Sequence, residues 1–429
     1  MKAIKNVKIY DYEHFIENGY IVYSDKIIEV GKMEHYTFEG QVIDGKGKLV
    51  IPGLVNGHTH IYSMLFRGLN LPYNPNSFKD ILEQLWWKFD KKLGLEEIYI
   101  SGMMYGIESL QNGVTTIIDH HASGKISNSL EEIKKALVDH LNMRVILGFE
   151  TSDRFNVSEC IQENKRFLYE KNEFYKGIFG MHASMSLSDD SLRMIRENLD
   201  EKPIHVHVAE SVFDEKDSEE KYNKRIIERF DDFDLIQDQS ILAHCIHINE
   251  KEAKILKGKK AYIALNPTSN LNNNVGLFNY EMLKDLKLII GTDGLGSNIA
   301  QEIYQFNLLI KKSIDSPVGV HQSELIKIIL NAYDLVNELL RIKIGKIRQH
   351  YKADFLLIDY SNPTPMNSEN AFSHLLYGVF NQMKPEKVII NGKEVLSNYK
   401  AHVKPEVYEQ AVNLSRKLFK KFGDKNEKN

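Results

Sequence analysis

Eight short apolar runs, separated by longer segments of helical period, limit what this chain can fold into. They are Leu49–Val55, Thr115–Ile118, Arg144–Phe149, Gly177–Met181, Pro203–Val208, Ser240–Ala243, Ala261–Leu265 and Leu286–Ile290. All but Pro203–Val208 lack strict alternation between apolar and polar residues. Each of these is therefore expected to be covered on both faces, as strands of a parallel sheet under helices are. Helix-period segments such as Glu96–Gln111, Ser129–Leu141, Glu159–Tyr169, Ser188–Asn198 and Asp214–Phe230 supply that cover. Eight strand–helix units in series predict an α/β fold with a closed (β/α)8 barrel.

The two ends read differently. Ala3–Tyr10, Tyr20–Tyr23 and Lys26–Val30 are short β-rich runs with turns between them. Strand character returns at Ala353–Ile358 and Lys387–Asn391, and Asn391-Gly392 is a hairpin signal. We expect residues 1–52 and 346–429 to build a small composite β-sandwich beside a barrel of residues 53–345. Pro405–Phe422 reads as a charged surface helix, and Gly423–Asn429 are expected to fray.

With 429 residues, 42% hydrophobic and 27% charged, the chain is an ordinary globular one, not a disordered one. A formal net charge of −4 gives no field that would draw nucleic acid or an anionic membrane. The cysteines, Cys160 and Cys245, fit no zinc-finger spacing and are expected to be reduced thiols. The N-terminus lacks a signal-peptide pattern, and no apolar run is long enough to span a bilayer. We expect a cytoplasmic protein whose partner is a small molecule.

The chemistry follows from position. Active sites of such barrels lie at the C-terminal ends of the strands, and here those ends carry histidines and carboxylates. The first ends in His58-Thr59-His60, the second in Asp119-His120-His121, and the third runs into Glu150 and Arg154. The fourth ends in His182, the fifth in His205-Val206-His207 with Glu210 beyond, the sixth in His244, and the eighth in Gly291-Thr292-Asp293. His58 and His60, two apart on a strand, leave the same face, as a chelating pair must. We expect His58, His60, His207 and Asp293 to hold one divalent metal, with His205 in support. Three imidazoles and one carboxylate suit Zn²⁺, or Fe²⁺, rather than Ca²⁺ or Mg²⁺. A metal can lower the pKa of a bound water from about 15.7 to about 7. His244 and Asp293 would take its proton, and Glu210 would pass a proton to a leaving nitrogen.

Substrate contacts are expected from His182, from Trp86 or its neighbour Trp87 by stacking on a flat ring, and from His121 and Arg154 toward a polar or anionic substituent. A buried polar network is the plain alternative for His120, His121 and Arg154. Arg67 either reaches the pocket or pairs with a carboxylate in the barrel wall. His247 is expected to be structural.

The motifs Pro52-Gly53-Leu54-Val55-Asn56-Gly57-His58-Thr59-His60, His207-Val208-Ala209-Glu210, Ala243-His244-Cys245-Ile246-His247, Asn266-Pro267-Thr268-Ser269-Asn270 and Gly291-Thr292-Asp293-Gly294 together resemble the amidohydrolase superfamily. The branch they resemble holds guanine deaminase, adenosine-type deaminases and triazine hydrolases. Leu85–Asp90, Asp119–Ser123 and Ser152-Asp153-Arg154 are similar, more narrowly, to the SsnA group of aminohydrolases. The resemblance implies metal at His58, His60, His207 and Asp293, proton transfer at Glu210 and His244, and substrate at His182. It also implies a homodimer or larger homo-oligomer. Members with two metals carry a bridging lysine at the end of the fourth strand; Lys176 lies before that strand, which argues for one metal. Hydrolytic deamination of an aminated heterocycle or an amidine is the function expected. Loss of another leaving group, such as chloride, and a non-catalytic assembly protein on the same fold are the rivals.

Overall fold

Gly53 divides the first apolar run between two sheets. In the computed structural model, which describes residues 1–294 and 296–423, Leu49–Pro52 pairs antiparallel with Phe355–Ile358. Leu54–Thr59 instead runs parallel to Val114–His121. The single strand expected over Leu49–Val55 is thus two strands. A side chain at position 53 would collide with Thr115, so the crossing from one sheet to the other needs glycine there.

The barrel strands are β1 (Leu54–Thr59), β2 (Val114–His121), β3 (Arg144–Phe149), β4 (Phe179–Ala183), β5 (Ile204–Val208), β6 (Ile241–His244), β7 (Tyr262–Leu265) and β8 (Lys287–Ile290). A short strand, Tyr175–Gly177, precedes β4 and pairs with β3. Neighbours are parallel throughout. A bridge between Thr59 and Asp293 closes the circle, and the Thr292 N–H donates to His58 O at 2.9 Å. The side chains of β2, β3 and β6 are buried on both faces, as the lack of alternation predicts. Ser188 and Asn249 cap the helices that follow β4 and β6 by accepting backbone N–H bonds.

The chain ends meet in a sheet ordered Lys400–Ala401, Lys393–Ser397, Lys387–Ile390, Phe355–Ile358, Leu49–Pro52, Lys2–Tyr10, Phe15–Tyr23, Ile27–Lys32, with Gln41–Asp44 also on Lys2–Tyr10. Asn391 and Gly392, at φ 51° and 75°, make the expected hairpin turn. Three features depart from expectation. Ser129–Leu141 is α-helical only to Lys134 and continues with π geometry over Lys135–His140. An unexpected helical segment spans Ala371–Gln382 and buries Phe372, Leu376 and Phe380. The C-terminal helix, Glu406–Gly423, is not a free surface helix. It buries Ala411, Leu414 and Leu418, and Lys421 Nζ lies 3.0 Å from Glu97 of helix Leu95–Gln111. The expected fraying over residues 424–429 lies outside the described residues. Among the described residues no helix is long and apolar enough to cross a membrane.

One buried ion pair ties barrel to sheet. Arg144, at the start of β3, pairs with Asp354, which also accepts the Asn391 N–H at 2.7 Å. Both side chains are at most 2% exposed. Arg144→Met leaves a buried carboxylate without its partner and is expected to cost about 3–5 kcal/mol. Urea denaturation measures this, and Arg144→Met with Asp354→Leu is expected to recover most of the loss.

Candidate metal centre and active site

Strand register converts four side chains into one donor set. His58 and His60 leave the end of β1 on the same side, His207 ends β5, and Asp293 follows β8. Each imidazole has its Nδ1 occupied from behind. His60 Nδ1 donates to His120 O at 2.6 Å, and His207 Nδ1 donates to His182 O at 2.9 Å. His58 Nδ1 meets His205 Nε2 at 2.8 Å. All three Nε2 atoms therefore turn inward, toward one another and toward Asp293.

The inward atoms crowd one another. His60 Nε2 lies 3.1 Å from His207 Nε2 and 2.9 Å from Asp293 Oδ1. Asp293 Oδ1 is 3.4 Å from His58 Nε2, which is buried without a hydrogen-bond partner. Ligand atoms of the four residues all lie within 4.8 Å of one another. Imidazole nitrogens and a carboxylate so close and so dry need positive charge among them, as a proton or as a cation. The set fits a divalent metal.

Electrostatics agree. Burial pushes His58 down to about 4 and His207 well below the ordinary imidazole value, so both are neutral and able to ligate. Burial opposes protonation of His60 as well, but Asp293 and Glu150 overcome it and raise that ring. Asp293 is buried, yet bonds from His58 and His60 hold its carboxyl well below the usual range. The cluster is thus built to attract positive charge.

A second group can move protons. His244 Nδ1 bonds Asn270 Oδ1 at 2.9 Å. Its Nε2 is left facing Glu210 Oε2 at 3.5 Å and Asp293 Oδ2 at 3.9 Å. Ser269 Oγ donates to Asp293 Oδ2 at 2.6 Å. Burial, with Asp293 nearby, pushes the Glu210 carboxyl well above its ordinary value. Backbone strain gathers here too. Ala209, His244, Cys245 and Asp293 have φ of 48°, 74°, 50° and 57°, a left-handed conformation costly for side chains with a Cβ.

Over the centre lies a cavity of about 280 Å³ whose walls include Trp86, Trp87, Arg154 and His182. A π-helical turn over Leu82–Trp86 ends on the first tryptophan and leads into the second, and both reach the cavity. His182 Nδ1 bonds Ser186 Oγ at 2.7 Å, and burial holds the ring neutral, down to about 4. His121 does not line the cavity, contrary to expectation. Its buried ring turns away between Tyr62 and Phe149 and its Nε2 meets Ser123 Oγ at 3.0 Å. His120, its neighbour, points inward and stacks on His205 at 4.4 Å. Arg67 pairs with Glu108 on the barrel wall, His247 bonds Val275 O at 2.6 Å, and Lys176 reaches Leu339 O at 3.2 Å. None of these three lines the cavity.

Sequence reasoning gave no role to Glu150, Asp90, Ser269 or Asn270. Glu150 is 2% exposed and faces His60 at 3.2 Å, His120 at 3.6 Å, and His182 and Arg154 at 3.8 Å. Its place just after β3 was a usable signal. Asp90 stood in the sequence only as the last residue of the Leu85–Asp90 motif, with no role of its own.

The amidohydrolase family model matches residues 49–395. A 5'-deoxyadenosine deaminase of Methanocaldococcus jannaschii is 31% identical over 416 residues, covering 92% of this chain and 95% of the relative. A 5-methylthioadenosine/S-adenosylhomocysteine deaminase of Thermococcus sibiricus is 29% identical over 410 residues, covering 89% and 93%. Among solved structures, a zinc-bound adenosine deaminase from Xanthomonas campestris superposes with a TM-score of 0.84 at 20% identity, covering 98% of each chain. Zinc-bound atrazine chlorohydrolase from Arthrobacter aurescens gives 0.79 at 19% identity, covering 98% and 100%. These superpositions show the fold.

His205→Ala removes the bond behind His58 while leaving every direct ligand in place. It is expected to weaken metal binding about 10–100-fold, and His207→Ala to weaken it further. Competition with a chromophoric chelator measures both.

Proposed function

The chain belongs to the amidohydrolase family, and from that premise we propose that it is a zinc-dependent deaminase releasing ammonia from an aminated heterocycle, with adenine derivatives first among the candidates. Its reaction class is hydrolysis of carbon–nitrogen bonds other than peptide bonds. The nitrogen and oxygen donors of His58, His60, His207 and Asp293 match zinc's preference. When bound, the ion makes a water molecule acidic enough to react near neutral pH. His244 Nε2 and Asp293 Oδ2 orient that water and accept its proton.

The observation that carries the reading is the place of Glu210. Its buried carboxyl, pushed upward by burial and by Asp293, faces His244 Nε2 at 3.5 Å, where it can carry a proton to a leaving group. A departing amine needs that proton and a departing chloride does not, so deamination is favoured over dechlorination. His182 and the two tryptophans supply the hydrogen bond and the flat apolar walls that a heterocycle requires. The adenine preference is carried over from the names of the two deaminase relatives. A complete ligand set argues against a non-catalytic role.

Metal analysis of protein purified without chelator is expected to find about one equivalent of zinc per chain. Glu210→Gln and His244→Asn are expected to keep that metal and to lose ammonia release by about 10²–10⁴-fold. Turnover retained in both variants rejects the proton-transfer roles. Chloride release without ammonia rejects the deaminase.

A further inference from the structure

The cavity wall away from the metal ligands is built around one guanidinium. Arg154 is the only lysine or arginine among the described residues that line the cavity. Its Nη1 donates to Asp90 Oδ2 at 2.8 Å, and its Nη2 lies 3.8 Å from Glu150 Oε2. The guanidinium lies 5.0 Å from the ring centre of Trp87 and 4.7 Å from that of Phe155. Asp90 and Glu150 are 1% and 2% exposed. One positive group thus sits between two buried carboxylates and two rings.

A guanidinium that recognises a carboxylate or phosphate must present its fork unpaired. Here Asp90 holds Nη1, while Nε and Nη2 are buried without a hydrogen-bond partner, and an anion that reached them would face Glu150, 3.8 Å from Nη2. Glu210, Asp214 and Glu302 also line the cavity and contribute no positive charge. Displacing Asp90 would leave a carboxylate buried without a partner. An uncharged ring meets no such obstacle, since Phe78, Leu82, Trp86 and Trp87 offer it apolar surface.

We propose that Asp90 and Glu150 neutralise Arg154 and so make this wall a charge filter, admitting uncharged aminated heterocycles and rejecting those that carry a carboxylate or phosphate. The proposal deepens the deaminase reading of the same site and rests on it. Asp90 is the specificity-determining residue.

The chain's two tryptophans, Trp86 and Trp87, both line this cavity, so intrinsic fluorescence reports its occupancy. Zinc-loaded wild-type protein and Asp90→Asn would be titrated with benzoate and with its uncharged counterpart benzamide. The ratio of benzoate to benzamide affinity is expected to rise at least about 10-fold in the variant, as Arg154 is released; attraction of benzoate to the metal is common to both proteins and cancels. An unchanged ratio, undetectable binding of every ligand included, overturns the proposal. Arg154→Met is the second variant, and its ratio should match wild type. A ratio at least tenfold lower would show that Arg154 already reads anions and would also overturn it. In ammonia release, wild-type kcat/KM for 5'-deoxyadenosine is expected to exceed that for adenosine 5'-monophosphate by at least about 100-fold. Equal turnover of the two overturns the filter. No ammonia from either, with the fluorescence ratio rising as expected, supports the filter and rejects adenine as the base.

Discussion

Three imidazole nitrogens and a carboxylate oxygen face one another at the mouth of the barrel, and most of the architecture is what keeps them there. Two of the nitrogens lie 3.1 Å apart, so close that the set needs positive charge among it, as a proton or as a cation. The rings cannot turn apart. His60 and His207 are each bonded through Nδ1 to a carbonyl on the next strand, His120 O and His182 O. Strand register thus determines tautomer, and tautomer determines which nitrogen is offered to a metal. The barrel is closed at the same place, through Thr59, His58 O and the residues after β8. Ring closure and the candidate metal site share the same residues.

Around that centre, environment separates carboxylates of similar chemistry. Asp293 is buried but held as the anion by two histidines. Glu210, 7% exposed and close to Asp293, is pushed the other way, toward its acid form. Two neighbouring carboxyls pushed in opposite directions are what a metal ligand beside a proton donor would require. Strained backbone at Ala209, His244 and Asp293 sets these side chains at the strand ends. The closed barrel beneath holds that strain in place.

The far wall uses charge for selection rather than for chemistry. Asp90 comes from the segment after β1 and Arg154 from the segment after β3, so two loops meet only because the barrel brings their strands together. Glu150 joins the two halves, touching the metal ligand His60 on one side and Arg154 on the other. A change of loop on this scaffold can alter what is bound without moving a metal ligand.

The sequence by itself determined the barrel and the strand ends at which the candidate metal-binding residues gather. Eight apolar runs in series leave few other folds, and His58-Thr59-His60, His207 and Asp293 fall at strand ends, where a period of two decides which residues share a face. It did not determine which face. A strand buried on both sides has no polar alternation to show its parity, so nothing in Asp119-His120-His121 told that His120 turns inward and His121 outward. It did not show that Leu49–Val55 serves two sheets, because both halves are equally apolar and only the fit of Gly53 against Thr115 separates them. Nor did it show the docking of the C-terminal helix, or the pairing of Arg154 with Asp90, 64 residues away. Contacts between distant segments depend on how elements are turned against each other, and local pattern carries no record of that turn. Tertiary structure alone decided which histidine faces the metal and whether the cavity's one guanidinium is free.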